Sequence, residues 1–200
     1  MSGRDTTEKR ESILDAALEV FQSEGYGSAS MDRIAEAAKA SKRTVYNHFD
    51  GKEALFKAVT ERFMGEVSAV QAIDYDPRRD LSEQLKAFAA TKERVASDAT
   101  WLSITKVAMS VAVTDPELVR ESLSDARKGE DHLRNWLQAA SADGRLRVDD
   151  PALASEIFWS SIAGAILWPQ LIHGPMDPLR IARLRDEVVR MFLARFAAAG

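Results

Sequence analysis

The chain contains no cysteine. That excludes disulfides, thiolate metal sites and a cysteine nucleophile. No stretch approaches the roughly 18 consecutive apolar residues that a membrane-spanning helix needs. The opening residues, MSGRDTTEKRES, lack the apolar centre of a secretory signal. A cytoplasmic protein without membrane association is the expectation. Histidine is also scarce: His48, His132 and His173 stand far apart, and no His, Asp and Glu set has metal-ligand spacing. No metal and no cofactor are expected. The same scarcity argues against an enzyme, because neither a nucleophile with its base nor an acid–base pair emerges.

Positive charge is in deficit as well. With 27 Lys and Arg against 31 Asp and Glu, the net charge is -4, which argues against broad, nonspecific coating of nucleic acid. A local basic surface remains open, since charges beyond about 8 Å are largely screened at physiological salt. One stretch has that character. In SKRTVYNHFDGKEALF, residues 41–56, Lys42, Arg43, Thr44, Tyr46, Asn47, His48 and Lys52 crowd together. Between Lys39 and Lys52 there are four Lys or Arg and a single Asp.

What the chain does have is helical periodicity. Ile13, Ala16, Ala17, Val20 and Phe21 fall on one helix face, and Gly25 follows as a stop. Ser30 suits the N-cap of a short helix that buries Met31, Ile34, Ala35 and Ala38. Ser41 suits a second N-cap a few residues later, opening a helix that buries Val45 and Phe49. A fourth helix starts near Lys52 and runs to about Ala72. Two helices joined by so tight a turn have the spacing of a helix-turn-helix.

Beyond this, four Asp-Pro pairs punctuate the sequence, at residues 76–77, 115–116, 150–151 and 177–178. Asp caps a helix start and Pro suits its first turn. The second pair predicts one helix from Pro116 to Ala142, the third a helix from Pro151 to about Trp168, and the fourth a helix from Pro178 to Ala198. The first opens a loop before a helix over about Leu81–Ala96. A further helix covers about Trp101–Val113. No strand pattern of useful length occurs, so the fold class is all-α.

A helix that buries Val45 and Phe49 turns Lys42, Arg43, Thr44, Tyr46 and Asn47 outward. A single helix fits the major groove, where Arg and Lys address guanine, Asn addresses adenine and the Thr methyl meets thymine. Tyr46 and Lys52 suit phosphate contacts, which set register. His48 beside Phe49 suits either packing and capping or a phosphate contact. A solvated polar face is the plain alternative. The whole run shifts the balance. Phe21, Gly25 and Tyr26, then SMDRIAEAAKASKRTVYNHFDGKEALF, closely resemble the N-terminal DNA-binding region of the tetracycline-repressor (TetR/AcrR) family of bacterial transcription regulators. The resemblance covers about residues 8–60. It implies a recognition helix from Lys42 to His48, with Lys42, Arg43, Thr44 and Asn47 facing bases. It also implies Tyr46, His48 and Lys52 at or near phosphates, and Ser30, the cap of the first motif helix, at the same surface. The chain departs from the family at the turn, with Lys39 where Gly is common and Ala40 where Val is common. Lys39 at positive φ would be strained by about 1 kcal/mol. That leaves the turn geometry, and Lys39's own reach toward phosphate, open.

The resemblance further implies a homeodomain-like three-helix DNA-binding domain, residues 1–56, and a larger helical ligand-binding and dimerisation domain, residues 57–200. The expected partners are an operator duplex, a small-molecule effector and a second copy of the chain. The expected outcome is repression, relieved when a small apolar effector binds. Aromatic and apolar residues at Phe88, Trp101, Met109, Trp136, Phe158 and Trp159 are candidate walls of the effector pocket, although the same spacing also marks ordinary core. Ser160, Gly164, Trp168, Leu184, Val188, Met191 and Phe192 are candidates for the dimer face, where two helices from each copy form a four-helix interface. The competing function is a helical module that binds a protein partner and no DNA. Partner surfaces centre on aromatic anchors, whereas the helix at Lys42–His48 offers Lys, Arg, Thr and Asn.

Overall fold

The computed structural model describes residues 3–68, 73–123 and 128–198, with the side chains of 6–63, 73–94, 96–123 and 132–198. Eleven α-helices are found among the described residues. They are α1 Gly3–Glu24, α2 Met31–Ala37, α3 Lys42–His48, α4 Lys52–Ser68, α5 Leu81–Ser97, α6 Ala99–Thr114, α7 Pro116–Ser122, α8 Lys128–Ala142, α9 Pro151–Ile162, α10 Trp168–His173 and α11 Pro178–Phe196. There is no strand among the described residues, only an isolated antiparallel bridge between Leu146 and Ala197. The fold is all-α.

The chain packs as two compact units. One comprises Met1–Glu66 and Ser103–Asp125, the other Val67–Leu102 and Ala126–Gly200, so the division runs through α6. This packing division differs from the functional division expected at residue 56, because nearly all of α4, most of α6 and all of α7 group with the N-terminal helices. Ion pairs within the first unit account for part of that grouping. Arg62 on α4 reaches Glu11 and Asp15 on α1 at 3.0 and 2.9 Å, and Lys57 on α4 pairs with Glu121 on α7.

The first unit is built as its sequence dictates. In α1, Ile13, Leu14, Ala17, Val20 and Phe21 are buried, and the chain leaves the helix through Gly25 at φ +78°, a conformation closed to most side chains. Ser30 caps α2 by accepting from the Arg33 N–H, and Ser41 caps α3 by accepting from the Thr44 N–H. Each cap satisfies a helix-end donor worth about 1 kcal/mol. Phe21, Tyr26 and Phe56 meet ring to ring, with centroids 5.3 to 6.4 Å apart.

In the second unit, α5, α8, α9 and α11 enclose a core containing Leu85, Phe88, Leu133, Trp136, Phe158 and Ile162. Gln84, fully buried, organises the loop before α5. Its amide nitrogen donates to the carbonyls of Asp76 and Arg79, and its amide oxygen accepts from the Asp76 N–H and the Trp136 indole. The Asp-Pro pairs at 115–116, 150–151 and 177–178 cap α7, α9 and α11.

Two expectations are corrected. The single helix from Pro116 to Ala142 is two helices. Leu123 closes α7 with its N–H on the Val119 carbonyl, in a stretch of Ser and Asp, residues that compete with the helical backbone. Residues 124–127 lie outside the described residues. The helix from Pro151 does not stop at Trp168. It continues to His173 through a wider π-helical turn over Ala163–Leu167. Pro169 supplies the physical cause, since it has no N–H to donate and its ring crowds the preceding turn. The expected end of α4 at Ala72 falls outside the described residues.

Candidate nucleic-acid interface

The reading surface is assembled by α2, the turn after it and α3. Val45 and Phe49 are buried beneath α3, while Arg43, Tyr46 and Asn47 are exposed on the opposite side and Thr44 and His48 are half-buried. Burying those two apolar side chains contributes about 1.5–3 kcal/mol each and fixes which face of α3 looks outward. Thr44 holds its hydroxyl 2.8 Å from that of Ser41, which ties it to the cap. The His48 ring lies beside Phe49, centroids 6.4 Å apart.

The turn is a Schellman motif. The Ala40 N–H donates to the Ala35 carbonyl at 2.9 Å and the Lys39 N–H to the Glu36 carbonyl at 3.1 Å. Lys39 occupies the left-handed position at φ +48° and is the only non-glycine residue with positive φ among those described. The conformation costs about 1 kcal/mol for a residue with a Cβ.

Most cations of the motif are already engaged. Lys42 pairs with Asp32 at 2.6 Å, both groups well exposed. Such a pair contributes under about 1 kcal/mol, so a phosphate competes for Lys42 easily. Arg33 pairs with Glu24 at 3.0 Å and with Glu36. The Lys52 ammonium donates to the Tyr26 carbonyl at 2.8 Å and the Gly27 carbonyl at 3.2 Å, and lies 4.6 Å from the Tyr26 ring centre. The sequence leads to a free phosphate-seeking Lys52. The structure makes it a tie between α4 and the turn after α1, because a lysine at the first residue of α4 has two carbonyls of that turn within reach. Tyr26 beneath it is half-buried, and burial, with Glu53 and Asp115 adding to it, pushes its hydroxyl up to about 12.

Sequence patterns missed two neighbours of the site. The Arg10 guanidinium stacks over Phe49 at 5.2 Å, and the Lys9 ammonium sits 3.4 Å from the Lys39 carbonyl. Both come from α1, about 30 to 40 positions away, and no local periodicity signals such a contact.

Known proteins supply the decisive comparison. Residues 13–59 match the family model described as bacterial regulatory proteins, tetR family. Residues 83–198, more than half of the chain, match the C-terminal domain of AefR-like transcriptional repressors. The chain belongs to the TetR family. Similar proteins span nearly its whole length. AcnR of Corynebacterium diphtheriae, an HTH-type transcriptional repressor, is 27% identical over 191 residues, covering 95% of this chain and 96% of its own. A TetR family transcriptional regulator from Pseudomonas syringae pv. tomato is 32% identical with a TM-score of 0.81, and the match covers 96% of this chain and 98% of that one. The SmeT–triclosan complex shares the fold at 22% identity, with a TM-score of 0.73 over 96% of this chain and 93% of that one. The protein is thus a DNA-binding transcriptional regulator of the TetR family.

All the remaining candidate residues except Met109 lie in the second unit. Four of the six expected pocket walls come together, but as packed core. Trp136 lies 6.0 Å from Phe88, Phe88 6.4 Å from Trp159, and Trp159 5.4 Å from Phe158, all ring to ring. All four are buried. Trp101 is half-buried on the first turns of α6, and Met109, exposed, belongs to the first unit. Ring-to-ring stacking gains more than an empty space would, and the sequence spacing is the same in either case. One buried group of this core is unusual. The Trp159 indole nitrogen has no hydrogen-bond partner among the described residues.

Of the expected dimer residues, Ser160, Gly164, Trp168 and Met191 are exposed, and Leu184 and Val188 are half-buried. Phe192 is 5% exposed and packed on Phe158 at 5.3 Å, and its remaining edge lines the groove between α9 and α11. Leu153, Ile157 and Ile172 add exposed apolar surface on α9 and α10. A groove of about 380 Å³ runs between α9 and α11, with Leu153, Ile157, Val188 and Met191 on its walls. A side chain added at Gly164 would meet nothing within 4 Å.

Proposed function

We propose that the protein is a homodimeric repressor that holds its operator through α3 of both subunits and releases it when a small, apolar effector binds the second unit. The observation that carries the DNA reading is the disposition of α3. Its apolar anchors are buried, and Arg43 and Asn47 stand exposed one helical turn apart. In this reading Lys42, Arg43, Thr44 and Asn47 meet base edges. Tyr46, His48 and the Ser30 cap meet phosphates, and Lys52 holds the frame and adds a phosphate contact when DNA is present. Two such helices about 34 Å apart meet successive major grooves. Selection of binding sites from random duplex DNA tests it directly. A two-fold symmetric motif with half-sites about one helical turn apart is expected, and no enrichment over repeated rounds contradicts it.

The exposed apolar face of α9, α10 and α11 supports dimerisation, since large apolar groups such as Ile172 and Met191, 70% and 64% exposed, mark interaction surfaces. Met191→Glu at the groove is expected to shift the solution mass toward one subunit. An unchanged dimer would contradict this face.

Phe88, Trp136, Phe158 and Trp159 pack ring to ring on α5, α8 and α9, so an effector that binds there must part the aromatic core. The unpartnered Trp159 indole supports an effector with a hydrogen-bond acceptor on an otherwise apolar body, because a buried N–H without a partner is costly. The triclosan bound to SmeT supports an effector site in this fold. The release mechanism is a shift of α4, which adjoins α3 in sequence and whose tilt sets the distance between the two reading helices. It operates in the cytoplasm, where the operator is. Only an effector with different affinities for the two states moves the equilibrium. A panel of small aromatic compounds should quench tryptophan fluorescence and lower operator affinity together. Quenching without any loss of affinity would contradict the coupling.

A further inference from the structure

We infer that Lys39 is a DNA-phosphate contact, and that a lysine is kept in the left-handed position of the turn for that contact. The inference rests on the DNA-binding reading above and extends it to the turn. The turn itself asks only for glycine: both closing hydrogen bonds are made by backbone groups, and φ is +48°. Nothing in the packing accounts for a lysine there. The residue is exposed, and its ammonium has no hydrogen-bond or ion-pair partner among the described residues. Among the neighbouring cations, Lys42, Arg33 and Lys52 are held by protein oxygens, whereas Arg43, on the base-facing side of α3, is exposed like Lys39.

The nearby carboxylates are occupied too. Asp32 is taken by Lys42, and Glu36 by Arg33. Lys9 adds a second cation by resting on the Lys39 carbonyl. The turn thus carries uncompensated positive charge immediately before α3, the helix that enters the groove. Strained residues concentrate where function holds them, and a long cationic side chain at the entry of a reading helix lies where groove-flanking phosphates run. Such a contact sets register and contributes salt-dependent affinity without reading a base.

The test uses the full chain and a fluorescein-labelled duplex recovered by selection with the wild type. Anisotropy titrations run from 50 to 300 mM NaCl, a range of roughly sixfold in which counterion release is resolved. Lys39→Gly and Lys39→Gln should each bind roughly fivefold more weakly per lost contact near 0.15 M salt. Each should flatten the slope of log K against log salt by about 0.9 per subunit. Lys39→Arg should keep the wild-type slope. Lys39→Gly should also melt at a higher temperature than the wild type while binding more weakly, so the loss cannot come from a damaged fold. Wild-type affinity and slope in Lys39→Gly or Lys39→Gln would overturn the inference while leaving the DNA reading intact. Absence of salt-dependent binding by the wild type itself would remove both.

Discussion

Lys52→Met separates a framework role from a DNA-contact role. Methionine keeps the apolar stem and removes the ammonium. The loss comprises hydrogen bonds to the Tyr26 and Gly27 carbonyls, at 2.8 and 3.2 Å, and a position 4.6 Å above the Tyr26 ring. The first bond is half-buried and charge-assisted, worth about 1.5 kcal/mol at the low end of its class. The second is exposed, and water replaces it at little cost. The cation above the ring adds about 0.5–1 kcal/mol. The sum is about 2 kcal/mol, which corresponds to roughly thirtyfold in an opening equilibrium. Hydrogen exchange resolved by peptide is the suitable assay, because local opening is read segment by segment. All four tryptophans, Trp101, Trp136, Trp159 and Trp168, lie in the other unit, so fluorescence would not report on this one. Peptides covering residues 20–30 and 50–60 should exchange roughly thirtyfold faster in the variant. A change below about threefold, on the order of 0.6 kcal/mol, would refute the tie and return Lys52 to a free side chain that only DNA engages.

Three further outcomes follow from the structure. Tyr26, with its hydroxyl pushed up to about 12 by burial, then by Glu53 and Asp115, keeps its proton in the folded state while the unfolded chain releases it near 10. The stability this provides is complete below pH 10 and disappears as pH rises to about 12. Alkaline unfolding of Tyr26→Phe should therefore show a shallower fall across that window, and parallel curves for the two proteins would contradict the assignment. Gln84→Leu strands the Asp76 N–H and the Trp136 indole, while the Asp76 and Arg79 carbonyls keep the Arg79 N–H and the Arg145 guanidinium. It should cost about 3 kcal/mol, a melting temperature lower by roughly 6–12 °C, and a loss under 2 °C, or about 0.5 kcal/mol, would contradict it. Phe192→Ala, a core truncation against Phe158 and Phe196, should cost about 3–5 kcal/mol in urea unfolding. A near-neutral result would return Phe192 to a surface role.

What could be read from the sequence was set by distance along the chain. Ser30, Ser41, Gly25 and the Val45–Phe49 pair act within a turn or two of themselves, so their roles as caps, stop and anchors follow from local chemistry. The strain at Lys39 was legible only through the family resemblance, which has glycine at that turn position, and the turn geometry itself stayed open. The contacts that set the electrostatics of the reading surface were not legible. Asp32 reaches Lys42 from another helix, and Lys52 bonds carbonyls 25 and 26 positions earlier. Neither spacing has a periodicity. The aromatic residues of the second unit failed for a different reason. Phe88, Trp136, Phe158 and Trp159 recur at helical spacing whether they wall a cavity or fill it, and only the packed rings decide. The break after Ser122 was hidden because Asp115-Pro116 announces where a helix begins and says nothing of its length.

The central claim is that the exposed face of α3 reads bases. Selected operator duplexes carrying every single-base change, titrated against wild type, Arg43→Ala and Asn47→Ala, test it most directly. Each variant should lose discrimination at one base position in each half-site, by about 1–3 kcal/mol, while binding to mismatched duplexes changes little. Discrimination equal to the wild type at every position, in both variants, would contradict the account.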